Sequence, residues 1–346
     1  MAPTGTDSLL AHPDFARLPV AAALRTIPLG FVDVGARGGA HPVMEPVAGA
    51  TAVLAFDPDA DALAELRAGE GGAAWAAYDV DPNGLAAFEG EAVLHLCTAP
   101  TNHSLRPTNA AIVARYAMAK FLPAGTVTVP VTTLDAALFG MRQGRAGLGE
   151  VLKIDTQGTE HEVLTGAVRT LGERTVAVLA EVAFLPIYEG QALFSDVEAL
   201  LRGHGFSFLG FTAVFHRSRK RIDKRRSTGR ERWLYADALF VKDPLPGGGG
   251  VLDDRGKGVL FTVALLFGYF DFALEVADDL WADAPTHREA AGRLVADLSR
   301  ADPAATAAEV RALAAAVAAA PERANLLAGR FVDARRSAFD HTDVPD

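Results

Sequence analysis

The chain has 346 residues, half of them hydrophobic and 22% charged, with a formal net charge of −10. That is enough apolar material for a sizeable core, and the acidic balance argues against a non-specific nucleic-acid binder. A single cysteine, Cys97, excludes an intrachain disulfide and a thiolate metal cluster and fits a reducing, cytoplasmic compartment.

Residues 1–27 read as an N-terminal arm or a short helix, with prolines at 13 and 19, lacking a signal-type apolar core. Strands and helices then alternate. Residues 31–34 form a short buried strand that enters the turn Asp33-Val34-Gly35-Ala36-Arg37-Gly38-Gly39. A second strand, 53–57, closes on Asp57-Pro58, and Asp59 caps the helix that Gly69 ends. A third, 73–80, carries Asp79. Segments 85–88 and 92–97 have the pattern of a hairpin turning at Glu89-Gly90.

A loop at 100–107, a helix at 109–120 and a strand at 126–131 follow. Thr132 then stands as the cap of a capping box that Asp135 closes. Strand 151–155 runs into Lys153-Ile154-Asp155-Thr156-Gln157-Gly158-Thr159-Glu160. The next helix places Val163, Leu164, Ala167, Val168 and Leu171 on one face. Residues 176–182 form another strand, bearing Glu181. Ser195-Asp196-Val197-Glu198 is a second capping box, opening a helix that buries Val197, Leu200 and Leu201. The last strands, 206–215 and 234–241, can pair antiparallel at the sheet edge across the basic loop 217–232.

Gly247-Gly248-Gly249-Gly250 marks a boundary between a 28–245 domain and a helical C-terminal region, 251–346. Helices are expected at 259–280, at 287–299, and from Asp302-Pro303 to Pro321. The most apolar stretch, 259–270, is shorter than the roughly 20 residues of a membrane span, so no span is expected. The alternation predicts an α/β fold, whose ligands bind outside the carboxyl ends of the strands.

The chemistry gathers at those ends. Gly35, Gly38 and Gly39 let backbone approach a ligand, although their spacing is not G-x-G-x-x-G. Roughly 20 residues on, Asp57 can accept both hydroxyls of a ribose, a group shared by nicotinamide dinucleotides and S-adenosylmethionine. Asp79 can meet an adenine amino group, with Asp81 as its competitor. Asp155 ends a central strand, Glu181 holds the equivalent place on the next, and Glu160 opens a helix whose dipole favours a carboxylate. Acids on neighbouring tips can hold a substrate hydroxyl, raise one another's pKa or share a metal. His103 and His161 are lower-ranked bases.

The segments 31–39, Phe56-Asp57-Pro58, Thr133-Leu134-Asp135, Lys153 to Glu160, and Leu179-Ala180-Glu181-Val182 resemble, in order and spacing, the FkbM family of S-adenosylmethionine-dependent methyltransferases, over roughly 28–242. The resemblance implies a Rossmann-like class I methyltransferase sheet, mostly parallel with an antiparallel edge strand, followed by a helical appendage. It implies methyl transfer to a hydroxyl of a sugar, glycan or secondary metabolite. S-adenosyl-L-methionine would be held by Asp33, Gly35, Ala36, Arg37, Gly38, Asp57 and Asp79, with Asp155, Glu181 and Glu160, in that order, as catalytic candidates and no metal. One departure is Asp57, where the family commonly carries Glu. The basic run suggests a small-molecule or glycan acceptor with anionic groups. Two rival readings are a nicotinamide-dependent oxidoreductase and a non-catalytic sugar- or partner-binding module on the same sheet.

Overall fold

The computed structural model describes residues 4–69, 75–142, 147–224, 227 and 229–334. Residues 73 and 74 of the expected third strand, and Arg225 and Arg226 of the basic run, lie outside that set. The contacts define two compact units, Met1–His216 with Trp233–Ser299, and Arg217–Arg232 with Arg300–Asp346.

The first unit opens with α1 (Pro13–Arg17) and α2 (Pro19–Thr26), each started by a proline at its first position, where the missing N–H costs nothing. Of the two expectations, arm or short helix, the segment takes the second, as two short helices. Phe15, Leu18, Ala21 and Leu24 are at most 1% exposed and belong to the main core, because their apolar spacing needs a partner. β1 (Leu29–Val34), β2 (Thr51–Phe56), α3 (Ala60–Gly69) and β3 (Ala77–Asp81) follow. All six residues of β1 are buried, as a strand covered on both faces requires.

β4 (Gly84–Leu85), β5 (Gly90–Cys97), α4 (Ala110–Arg115) and β6 (Pro123–Thr132) come next. The expected hairpin between 85–88 and 92–97 does not form. β5 pairs antiparallel with β6, and β4 pairs parallel with the other side of β6, in a separate three-stranded sheet. A local turn signal cannot reveal that a later strand will take the place between two neighbours.

β7 (Val151–Ile154), α5 (Glu160–Thr165), α6 (Val168–Glu173), β8 (Ala177–Ala183), α7 (Phe194–Gly203), β9 (Ser207–Arg217) and β10 (Arg232–Val241) complete the large sheet. Its order is β3-β2-β1-β7-β8-β10-β9. β2, β1, β7 and β8 run parallel, as does β3, while β10 is antiparallel to β8 and lies one place in from the edge strand β9.

Alternate residues supply two cores. Phe31, Val53, Val151, Leu179 and Leu239 face one side; Val32, Leu54, Leu152, Val178 and Phe240 face the other, the period-2 geometry of a strand. On the second side Val163, Leu164, Ala167 and Leu171 are fully buried, but Val168 is 53% exposed. The expected single helix breaks between α5 and α6. A Cβ at Gly166 would lie 2.3 Å from the Ala86 carbonyl oxygen, so the chain must turn at that contact.

Both capping boxes shift. Thr133, not Thr132, caps the segment after β6 by accepting from Ala136 N at 3.1 Å. Asp135 instead accepts from the backbone N–H groups of Arg169 and Thr170, each at 2.8 Å, at the start of α6. In α7 the cap is Leu193, whose N–H donates to Asp196 Oδ2 at 2.8 Å, and Ser195 lies inside the helix.

α8 (Asp254–Phe267) and α9 (Phe270–Leu280) replace one long helix, separated by Gly268 at φ +77°. With α10 (Pro285–Leu298) they cover the first face of the sheet. The apolar run of α8 is buried there, with Val259, Leu260, Phe261 and Val263 all 0% exposed. In the second unit Asp302 caps α11 (Pro303–Ala319) through Ala304 N and Ala305 N, and α12 (Ala324–Ala334) follows Pro321. In that same unit Lys224 pairs with Glu231 at 2.6 Å, and the Asn325 amide holds the carbonyls of Lys224 and Ser227. No single helix among the described residues is long and apolar enough to cross a membrane.

Candidate active site

Register brings three predicted residues to one rim. Val34 pairs with Phe56 on one side and Ile154 on the other, so the next residue of each strand, Gly35, Asp57 and Asp155, stands at the same level. The Gly35 and Ala36 N–H groups donate to Phe56 O at 2.9 and 3.2 Å, and Asp155 N donates to Val34 O at 3.0 Å. A cleft of about 190 Å³ opens there, lined by Gly35, Arg37, Asp57, Lys153, Asp155 and Gln157 among others.

Below this rim the first face of the sheet carries charge instead of hydrocarbon. Asp33 and Lys153 are register partners, and Lys153 Nζ stands 3.2 Å from Asp33 Oδ1 and donates to Gly35 O at 3.1 Å. Asp33 Oδ2 accepts from His41 N at 2.8 Å, which closes the glycine turn. Asp33 is therefore an anchor of the turn, 1% exposed, and not a cleft residue. Burial works against the Lys153 ammonium, but Asp33, Asp155 and Glu181 together hold its pKa above the ordinary value. Burial keeps His41 low.

The acids cluster where β7 ends, beside Glu181 within β8 and Asp237 within β10. One oxygen each of Asp155, Glu160 and Glu181 lies within 4.8 Å of the other two, and Asp237 stands opposite Glu181 in the β8–β10 ladder. Burial, then the charges of Asp155, Glu160 and Asp237, push Glu181 well above the usual carboxylate range. Burial, then Asp155, moves Asp237 up to about 6.

Glu160 is the first residue of α5 and folds back on the loop before it. Its Oε1 accepts from Thr156 N at 2.9 Å and Gly158 N at 3.1 Å. Burial pushes it up to about 7 despite those donors. It braces the loop and does not line the cleft.

Asp57 is 7% exposed, and burial raises its pKa against the N–H of Asp59 and the charge of Arg37. Its Oδ1 accepts only the turn contact from Asp59 N at 2.9 Å. The helix cap is Asp59, accepting from Asp61 N and Ala62 N. Burial opposes the ionised form of Asp59, yet Ala62 N and Arg37 hold its pKa low. Arg37 Nη2 stands 2.7 Å and His103 Nε2 3.5 Å from Asp59. His103 Nδ1 accepts from Cys97 N at 3.0 Å, so both ring nitrogens serve this clasp, and burial lowers its pKa.

Of the remaining candidates, Gly38 lies in the turn at φ +87°, and Ala36 is 1% exposed in the main core. Asp79 sits two residues before the end of β3 and away from the cleft lining. Asp81 ends that strand but is held by Asn83 and by Arg142 at 2.8 Å. His161 lies on α5, away from the cleft lining.

Residues missed in the sequence include Asp237, Gln157 and Tyr188. Asp237 had a signal, a lone carboxylate inside the apolar run Leu234-Tyr235-Ala236-Asp237-Ala238-Leu239, which burial makes costly without a purpose. Gln157 Nε2 donates to Asp155 Oδ1 at 2.7 Å and Glu181 Oε1 at 3.2 Å. Nothing local in the sequence shows this bridge.

Residues 33–208, just over half of the chain, match the family model described as the methyltransferase FkbM domain. The chain belongs to the FkbM methyltransferase family. Its sheet is the Rossmann-like class I methyltransferase sheet that the resemblance implied, with an antiparallel strand beside the edge and helices after it.

Among solved structures, the FkbM methyltransferase of Methylobacillus flagellatus KT aligns over 63% of this chain and 47% of its own, at 14% identity and a TM-score of 0.35. This chain thus spans about half the length of that relative. Magnesium protoporphyrin IX methyltransferase (ChlM) from Synechocystis PCC 6803, solved with bound SAM, aligns over 65% and 74%, at 12% identity and a TM-score of 0.31. TehB from Haemophilus influenzae aligns over 65% and 61%, at 10% identity and a TM-score of 0.30. No curated protein matches. The family match carries the assignment.

Proposed function

We propose that this FkbM methyltransferase moves a methyl group from S-adenosyl-L-methionine to a hydroxyl oxygen of a sugar, glycan or secondary metabolite, at the rim formed by Gly35, Asp57 and Asp155. The observation that carries the reading is that shared rim, set by parallel register.

The residues fit the donor on three counts. The Cβ positions of Gly38 and Gly39 are open space, so the turn leaves room for a ligand. Among the described residues no hydrogen bond reaches the second carboxylate oxygen of Asp57, which can accept ribose hydroxyls. Thr159, 4% exposed on the cleft wall, buries a hydroxyl with no hydrogen-bond partner among the described residues, and a buried hydroxyl calls for one.

The donor, when bound, supplies a methyl on a sulfonium, already a strong electrophile. The chain's task is then to hold an oxygen in line and take its proton. Asp155, at the cleft, orients the acceptor hydroxyl and receives that proton, and Glu181 is the second choice. Glu160, tied to its loop, is the third. Lys153 offsets the negative charge of the cluster from below. The clustered acids favour a cationic donor.

Isothermal titration with S-adenosylmethionine, S-adenosylhomocysteine and NAD tests the reading. Micromolar binding of the first two and none of the third is expected. A folded protein that binds neither adenosyl compound would instead be the non-catalytic module. The basic run 217–232 extends the proposal to an anionic acceptor. Methyl transfer to phosphorylated sugars that falls with added salt, beside salt-insensitive transfer to neutral ones, would support it; equal, salt-insensitive transfer to both would remove it.

A further inference from the structure

Gln157 joins the loop to the acid cluster. Its backbone lies in the left-handed region at φ +57°, uncommon for a residue with a side chain. Gly158 follows at φ +105°, and a Cβ there would stand 2.8 Å from Cδ2 of Tyr188. The Tyr188 ring is 1% exposed, so the loop is packed against a buried ring.

The Tyr188 hydroxyl lies 2.9 Å from Gln157 Oε1 and 3.0 Å from the Asn102 carbonyl oxygen, and shares its proton between them. With Oε1 accepting, the amide NH2 must face the other way. There it meets Asp155 Oδ1 and Glu181 Oε1 at 2.7 and 3.2 Å. A flipped amide would set its oxygen against two carboxylates.

Two carboxyl groups drawn to one point repel as both ionise, and a donor or a cation between them relieves that repulsion. Among the described residues, Gln157 is the group hydrogen-bonded to both. Lys153 contacts Asp33 and Gly35 O and acts on Asp155 and Glu181 through its charge, Glu160 and Asp237 add acid, and burial keeps His41 toward its neutral form. The amide nitrogen is the bridge.

We propose that Gln157 is a positioning residue whose side-chain amide, oriented by Tyr188, occupies the place a divalent cation would take between Asp155 and Glu181, so that the pair is held without a metal. This rests on the reading of Asp155 as the acid that meets the acceptor.

The test titrates Mn2+ into the full chain, followed by electron paramagnetic resonance, for wild type, Q157A, Q157E and Y188F, with thermal unfolding as the check of folding. Wild type should show no site tighter than about millimolar. Q157A and Q157E should each gain a site about tenfold tighter or more, and E181Q added to Q157E should abolish it. Y188F, which leaves the cluster's residues in place but frees the amide, should fall between and keeps the test open if Q157A does not fold. Wild type binding Mn2+ as tightly as the variants, or all four chains behaving alike, would overturn the proposal. Failure of wild type to bind S-adenosylhomocysteine would sink the methyltransferase reading alone, since the Mn2+ comparison does not use the donor.

Discussion

A Cβ on Gly35 would stand 2.0 Å from the carbonyl oxygen of Asp155. The exit turn of β1 is thus pressed against the tip of β7, and Lys153 beneath them donates to Gly35 O. The glycine turn and Asp155 are one packed unit, joined through backbone.

Gly35→Ala meets that contact and a φ of +75° at once. It is expected to cost about 2 kcal/mol or more and to abolish S-adenosylhomocysteine binding. Gly38→Ala is the control, with a positive φ of +87° but open space at its Cβ; it should cost about 1 kcal/mol from backbone strain alone. Urea midpoints and calorimetric titration separate the two. Equal costs would show that the Gly35–Asp155 contact relaxes.

Asp57→Asn separates binding from stability. Burial raises the Asp57 pKa, so the folded state holds that proton more tightly than the unfolded chain, and its stabilising share is lost as pH rises through the folded value. Asn at this position should raise the thermal midpoint at pH 8 while weakening adenosyl-donor affinity about tenfold or more. A variant that is less stable at pH 8 with unchanged affinity would remove Asp57 from the site.

Glu160 gives a pH signature. Its pKa rises from 4.5 to about 7 through burial. The contribution is full below the unfolded value and disappears as pH climbs through the folded one, at most about 3 kcal/mol across that range. Asp237, raised to about 6, adds a slope of the same sign. Glu181, raised well above its ordinary value, adds to the same slope, so unfolding free energy should decline between pH 4.5 and 7 and Glu160→Gln should remove a part of that decline. An unchanged slope in the variant would count against this assignment.

On the opposite rim, Arg255 of α8 donates to buried Glu150 through Nε at 2.6 Å and Nη2 at 3.0 Å, while Nη2 also holds the Ile27 and Pro28 carbonyls. Glu150 in turn accepts from Gly30 N at 3.1 Å. Arg255→Ala would leave a buried carboxylate without its cation, at a cost of about 3–5 kcal/mol. The effect should appear as lower stability with donor affinity kept once ligand is in excess. Loss below about 1 kcal/mol would mean the pair behaves as an exposed one.

The rim was legible in advance because strand tips follow from local apolar runs. Phe31-Val32, Val53-Leu54 and Val151-Leu152 name the strands, and a parallel α/β sheet puts its ligands at their carboxyl ends whatever the side chains do elsewhere. Gly35, Asp57 and Asp155 were placed on that rule, and parallel register bears out their shared level. Local pattern misled where the partner was distant. Asp135 reads as the closing residue of its own cap but reaches Arg169 and Thr170 on α6, and the β5 hairpin partner proved to be β6.

By itself the amino-acid order determined the central parallel strands and put Gly35, Asp57 and Asp155 just past the ends of three of them, since both depend on residues a few positions apart. Only the tertiary structure decided that residues 1–27 and the apolar run of α8 share one core, that Glu160 braces its own loop, and that Gln157 stands between Asp155 and Glu181 under the hand of Tyr188. Those outcomes turn on hydrogen bonds and burial between segments up to hundreds of residues apart, whose energies exist only once the chain has closed on itself.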